Sequence, residues 1–241
     1  MGNRVMQILT NIDDTKDYTY YVHDAQGNIM AIYNLSESDP VGSESEALNS
    51  ESEPVELGEQ PIYVSSRIGT YLPAGNKSTS TTFYKTYGLR HYELTNHLGN
   101  VLAVISDYRI PVFETDVNGN PTTTIDHYQP ELISSTDYFP YGAEMEGRGK
   151  SSSEKYRYGM NGQEKDREVG EGMYTALFWE YDARIGRRWN IDPDYKENAS
   201  KSPYLTFSNN PIIFIDPLGD TDFFNRRGKK IGSDNVENGV Q

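Results

Sequence analysis

The chain has 241 residues, room for one large or two small domains, and a formal charge of -14 that argues against partners read through phosphates or anionic membrane surfaces. Hydrophobic residues make up 35% and mean hydropathy is -0.73, below the apolar share of an ordinary packed globule. Yet 19 Tyr and 8 Phe exclude a disordered-chain composition, and zero cysteines exclude disulfides and cysteine-based zinc sites.

Tyrosine covers a pleated surface with its ring and keeps its hydroxyl wet, so this composition, with 21 Gly and 12 Pro, points to short strands and tight turns. Gly2-Asn3-Arg4-Val5 reads as the second half of a repeat whose first half lies outside the chain. A complete copy follows at Tyr20-Tyr-Val-His-Asp24-Ala-Gln-Gly27-Asn28-Ile29-Met-Ala31-Ile32, and a second at Tyr92-Glu-Leu-Thr-Asn96-His-Leu-Gly99-Asn100-Val101-Leu-Ala103-Val104. Each predicts a β-hairpin: the tyrosine side opens a strand, Asp24 or Asn96 starts the turn, Gly27 or Gly99 accepts positive φ, and the apolar run returns.

Between these copies, 36–60 carries eight acidic residues, six serines and no base, and reads as a loop too polar to bury a core. Its acids lack the alternating Asp/Asn-plus-Gly spacing of a calcium loop. Strands are expected at 61–66, 81–87, 91–95, 101–108, 122–128, 135–142, 154–159 and 173–182, with a second loop at 147–155. Only 161–168 (NGQEKDRE) reads as helical. Without long helices between strands, the fold class is all-β rather than parallel α/β.

From Tyr138 onward the chain resembles the RHS repeat-associated core, in the form typical of Bacteroidetes proteins. The residues that carry the resemblance are Tyr138-Phe-Pro-Tyr-Gly142, Tyr156-Arg-Tyr-Gly-Met-Asn-Gly-Gln-Glu-Lys-Asp166 and Tyr181-Asp-Ala-Arg-Ile-Gly-Arg-Arg-Trp-Asn-Ile-Asp-Pro193. Ser202-Pro-Tyr204, Asn209-Asn-Pro211 and Ile215-Asp-Pro-Leu-Gly219 continue the order. The hairpin copies at 20–32 and 92–104 resemble the YD repeats of the same family. The resemblance implies a ribbon of β-hairpins forming part of a cocoon-like shell, closed by a C-terminal core plug. Its expected layout is YD-repeat strands over 1–137, the core over 138–219, and the start of a variable segment over 220–241. Those last 22 residues are too few for a domain of their own, so truncation at both ends is expected.

By the same resemblance the chain is the encapsulating part of a secreted or surface-exposed bacterial polymorphic-toxin-like protein. Its partners would be its own C-terminal effector segment and the upstream shell. Residues 1–14 have no basic-then-apolar layout, so the export signal is not in this chain. No apolar run reaches membrane-spanning length, and neither membrane insertion, nucleic acid nor a cofactor is expected.

Some members of this family carry an aspartyl self-protease in the core. Residue by residue, the resemblance puts its two aspartates at Asp192 and Asp216, its arginine at Arg187, and the scissile region at Gly219–Asp220. Two carboxyls held close share a proton, so one can activate water while the other protonates the leaving group. The family repeats DPxG twice; here the first copy is Asp192-Pro-Asp-Tyr195, without the glycine, and Asp194 adds a third carboxylate. The alternative is that Asp192 and Asp216 cap turns ahead of proline. A third reading, a carbohydrate-binding adhesin, rests on exposed tyrosines as stacking platforms. His23, His91, His97 and His127 show no metal-binding spacing, so no metal site is expected.

Overall fold

The structure, a computed structural model, describes residues 4–25, 27–36, 55–64, 66–73, 87–151, 156–193, 195–196, 200–216, 219, 223–224 and 230–232. It is all-β: no α-helix occurs among these residues, and the strands lie in antiparallel sheets. The chain divides into two compact units, a hairpin unit of Gly2–Tyr92 with Ser106–Gln129, and a C-terminal unit of Glu93–Ile105 with Pro130–Gln241.

In the hairpin unit, β1 (Met6–Thr10), β2 (Lys16–His23), β3 (Ile29–Ser36), β4 (Glu56–Tyr63), β5 (Arg67–Tyr71) and the start of β6 (Arg90–Thr95) pair in chain order. Registers such as Tyr20↔Tyr33 and Gly69↔Tyr92 fix which residues share a face. Tyr21, Ala31, Ile32 and Thr70 are buried, while Met6, Ile8, Val22, Met30 and Ile68 stay exposed. β7 (Val101–Thr115) and β8 (Pro121–Ser135) contribute their outer parts, 106–115 and 121–129, to this unit and their inner parts, 101–105 and 130–135, to the other.

The predicted loop at 36–60 is corrected at both ends. Ser36 closes β3, and β4 begins at Glu56, where Glu56, Leu57 and Glu59 pair with Asn34, Tyr33 and Ile32 of β3. Residues 37–54 lie outside those described, as do 81–86 of the strand expected at 81–87.

One turn recurs six times among the described residues, at 11–15, 24–28, 96–100, 116–120, 139–143 and 159–163. In each, the first residue's N–H donates to the fifth residue's carbonyl and the fourth residue's N–H donates to the first residue's carbonyl, at 2.7–3.1 Å. The fourth residue has positive φ throughout: Asp14, Gly27, Gly99, Gly119, Gly142 and Gly162. This is the three-residue hairpin loop closed by a left-handed bulge residue. In the Asp/Asn-x-x-Gly-Asn versions, the first side chain also accepts the fifth N–H: Asp24 from Asn28 at 2.8 Å, Asn96 from Asn100 at 3.1 Å, and Asp116 from Asn120 at 2.9 Å.

Asp107 ties β7 to the approach of β6 within the hairpin unit. Its Oδ1 accepts the N–H of Gly88 at 2.6 Å and of Arg90 at 3.3 Å, and Oδ2 meets the Arg90 guanidinium at 3.4 Å. Burial works to raise its pKa, but these N–H donors and the arginine outweigh it and hold the carboxyl below its usual range. A depressed folded-state pKa stabilises fully above the unfolded value of about 3.9, and that contribution is lost as pH falls through the folded one. Asp107→Asn will therefore be less stable than the wild type at pH 7 by about 1–3 kcal/mol, and the difference will shrink in urea titrations repeated toward pH 3. A difference independent of pH would rule out the charge as its source.

The C-terminal unit holds the larger core. A four-stranded sheet, β10 (Glu164–Lys165), β11 (Met173–Ala176), β12 (Trp179–Asp182) and β13 (Arg187–Arg188), carries Tyr174, Trp179 and Tyr181 into a cluster with Met160, Ala183 and Phe207. Trp179 stacks on Tyr181 at 5.0 Å, and Phe207 meets both rings edge-on at 5.4 and 5.6 Å. Both tyrosine hydroxyls end on the 139–143 turn: Tyr181 donates to the carbonyl of Tyr141 at 2.6 Å and Tyr174 to that of Gly142 at 3.1 Å. Burial pushes both phenols well above their ordinary pKa, which keeps them neutral donors. A second cluster, Val101, Val104, Tyr156 and Tyr158, packs beside the inner ends of β7 and β8.

Several expected elements are corrected in this unit. The helix at 161–168 is instead a 3-10 turn at Met160–Gly162 followed by β10, because Asn161 (φ 51°) and Gly162 (φ 69°) are both left-handed. The single strand at 173–182 is a hairpin, β11 and β12 joined through Leu177 and Phe178. Of the strands expected at 135–142 and 154–159, 136–142 and 156–159 instead form turns held by single bridges, Tyr138 to Glu144 and Tyr158 to Glu164, and 154–155 lie outside the described residues. Within the loop expected at 147–155, β9 (Lys150–Ser151) pairs with β8. A left-handed stretch at Phe207, Ser208 and Asn209 (φ 50°, 47° and 58°) has no counterpart in the expected elements.

Candidate functional site

Asp192 and Asp216 are both buried in the C-terminal unit, at 7% and 3% exposure. The strand β13 places two arginines side by side, and successive residues of a strand point to opposite faces. Arg188 is the inward one. Its Nη1 pairs with Asp192 Oδ2 at 2.8 Å, and only 1% of its side chain is exposed. Its Nη2 donates to two carbonyls, Phe178 and Gly219, each at 2.8 Å. The guanidinium also lies over the Trp179 ring, 5.6 Å from its centroid.

Arg187, expected from the resemblance to serve the site, points elsewhere. Its Nη1 donates to the Gly186 carbonyl and to Asn209 Oδ1, both at 3.3 Å, so it braces the left-handed stretch at 207–209. The inward face of β13 belongs to Arg188, and the arginine beside Asp192 is therefore Arg188 and not Arg187.

Asp216 is tied to Gly219 through its own side chain. Its Oδ1 accepts the N–H of Gly219 at 2.7 Å. Gly219 has φ 80°, and a Cβ there would sit 2.7 Å from the Trp179 ring, so only glycine fits. The Gly219 peptide is thus held from both sides, its N–H by Asp216 and its carbonyl by Arg188. Behind them lies Gln163, at 6% exposure; its Nε2 donates to the backbone carbonyl of Asp216 at 2.9 Å and its Oε1 accepts the Trp179 indole N–H at 3.3 Å.

Asp192 has its own support. Its N–H donates to the carbonyl of Pro203 at 2.9 Å and its carbonyl accepts the N–H of Tyr195 at 3.2 Å. Asp194, Pro217, Leu218 and Asp220 lie outside the described residues. A buried guanidinium on an amide carbonyl, paired with one carboxylate, is the donor set that would stabilise an oxyanion at that carbonyl. It is equally the donor set that would pin a chain segment in place.

Sequence reasoning overlooked Arg188 and Gln163. Trp179, read only as part of a strand, proves to be the wall on which both of them and Gly219 converge. No family model matches the chain, and no curated protein matches it. Among the described residues, no helix is long and apolar enough to cross a membrane, and no group of three or more His, Asp or Glu is placed to hold a metal ion.

Proposed function

We propose that this chain is a wall-and-plug segment of an RHS-type shell, in which the C-terminal unit anchors whatever follows Gly219. The observation that carries this reading is the buried clamp on Gly219, whose N–H and carbonyl are held by Asp216 and Arg188. The hairpin unit supports it as well. Tyr108, Ile110, Phe113, Ile125 and Tyr128 are all exposed on its outer β7 and β8 segments, and β1 stands at an end of the strand order. Exposed apolar strands and an open edge suit a sheet that continues into further repeats. On that account the 241 residues alone will associate or unfold in stages; a chain that sediments as a monomer and melts as one cooperative unit would count against it.

A second reading, aspartyl self-cleavage after Gly219, draws its support from Arg188. Hydrolysis there would add water to the Gly219 carbonyl carbon and break its bond to the Asp220 nitrogen. One carboxyl of Asp192 and Asp216 would take the proton from water, and the other would protonate the departing amine. Arg188, already on the carbonyl oxygen, would stabilise the oxyanion. The intact masses of the wild type, Asp192→Asn and Asp216→Asn decide between the readings. A wild-type product ending at Gly219 and missing in both variants establishes cleavage; full-length mass in all three leaves a non-catalytic plug.

A further inference from the structure

We propose that Gln163 is a positioning residue for the Gly219 peptide, a role that rests on the self-cleavage reading for its chemical consequence but not for its geometry. Gln163 acts on the Gly219 carbonyl and the aspartates through their supports. It holds the two things that aim them, the backbone of Asp216 and the indole of Trp179.

The orientation of its amide is fixed by its partners. An indole N–H can only donate and a peptide carbonyl can only accept, so oxygen faces Trp179 and nitrogen faces Asp216. Gln163 is itself held by the 159–163 turn, in which its carbonyl accepts the Gly159 N–H at 2.9 Å and its N–H donates to Met160 at 2.9 Å. The brace therefore runs from a rigid turn to Trp179, whose ring limits residue 219 to glycine and underlies Arg188. If the amide lets go, the ring can swing and the Asp216 backbone can shift, and the Gly219 carbonyl leaves Arg188. A displacement of about 1 Å at a reacting carbonyl lowers rates roughly a hundredfold.

Glutamate at 163 separates positioning from simple filling of space. Ionised, it can still accept from Trp179 but cannot donate to the Asp216 carbonyl, and it faces that oxygen with a like charge. Protonated, it regains a donor and can restore both bonds. Alanine removes both at every pH. The test follows self-cleavage of the full chain by intact mass as a rate relative to wild type, from pH 7 to pH 4, for Gln163→Glu and Gln163→Ala. The expected result is that Gln163→Glu falls roughly ten- to a hundredfold behind wild type at pH 7 and recovers below about pH 5, while Gln163→Ala stays slow throughout. Equal rates for Gln163→Glu and wild type at pH 7, or identical profiles for the two variants, would overturn the proposal.

A second measurement keeps the two ideas apart. The chain has two tryptophans, Trp179 and Trp189, and so two indole N–H resonances, assigned by Trp189→Phe. In the wild type the Trp179 resonance should be that of a buried hydrogen-bonded N–H. It should move in Gln163→Ala, and in Gln163→Glu it should titrate. If the wild type never cleaves but the resonance behaves this way, the brace stands and the self-protease falls. A Trp179 resonance unchanged in Gln163→Ala overturns the brace, whatever the cleavage assay shows.

Discussion

Arg188→Met will destabilise the C-terminal unit by about 3–5 kcal/mol, seen as a lower urea midpoint with an unchanged slope. The side chain is 1% exposed and Asp192, its partner at 2.8 Å, has a side chain only 10% exposed. Methionine fills a similar volume, so lost packing is a small part of the effect. The larger part is a carboxylate left in a buried place without its cation, and two carbonyls, of Phe178 and Gly219, left without their donor. The double variant Arg188→Met, Asp192→Leu removes both charges and should recover most of the loss, since a buried pair exchanged for apolar groups is often neutral. If the single variant loses under 1 kcal/mol, water reaches the pair and the clamp on Gly219 is weaker than its burial implies.

The same arginine shows where sequence reading stops. Arg187 and Arg188 are adjacent and chemically identical, and which faces inward depends on the register of β13, set by Tyr181↔Arg188 and Asp182↔Arg187. Nothing in a two-residue strand announces that register. Gln163 was hidden for a related reason. Its segment is polar and reads as a helix, but Asn161 and Gly162 turn left-handed and carry the glutamine inward. The left-handed residues 207–209 are held in that form by tertiary contacts, the burial of Phe207 among them, and such contacts leave no local signal.

The turns, by contrast, were legible, because their chemistry is local. Asp or Asn, two residues, glycine, asparagine is enough to specify the hairpins at 24–28 and 96–100. The same spacing at 116–120 was on view but went unused, and with it the full length of β7 and β8. Aspartates 192 and 216 are singled out by a family resemblance and not by any local signal. Their burial in one unit, around Arg188 and Gly219, is what the folded chain adds.

A matched pair of substitutions separates what the turn needs from what the core needs. Gly99 and Gly142 occupy the same place in the same turn, with φ of 80° and 86°, and both belong to the C-terminal unit. A Cβ at 99 would find only ordinary contacts, Asn161 at 3.6–3.7 Å. A Cβ at 142 would lie 1.8 Å from Met160 Sδ, 2.7 Å from its Cγ and 3.0 Å from its Cβ. Met160 is 1% exposed and packed in the aromatic cluster, so it has no free space to enter. Gly99→Ala should therefore cost about 1–2 kcal/mol, the strain of a left-handed alanine. Gly142→Ala adds overpacking of about 1–3 kcal/mol, for a total of about 2–5 kcal/mol. It should also disturb the carbonyls of Tyr141 and Gly142 that accept the Tyr181 and Tyr174 hydroxyls, and the near-ultraviolet circular dichroism of the buried tyrosines should change with it. Equal losses from the two alanines would mean that Met160 yields easily, and that this turn is placed by its own backbone and not by the core beneath it.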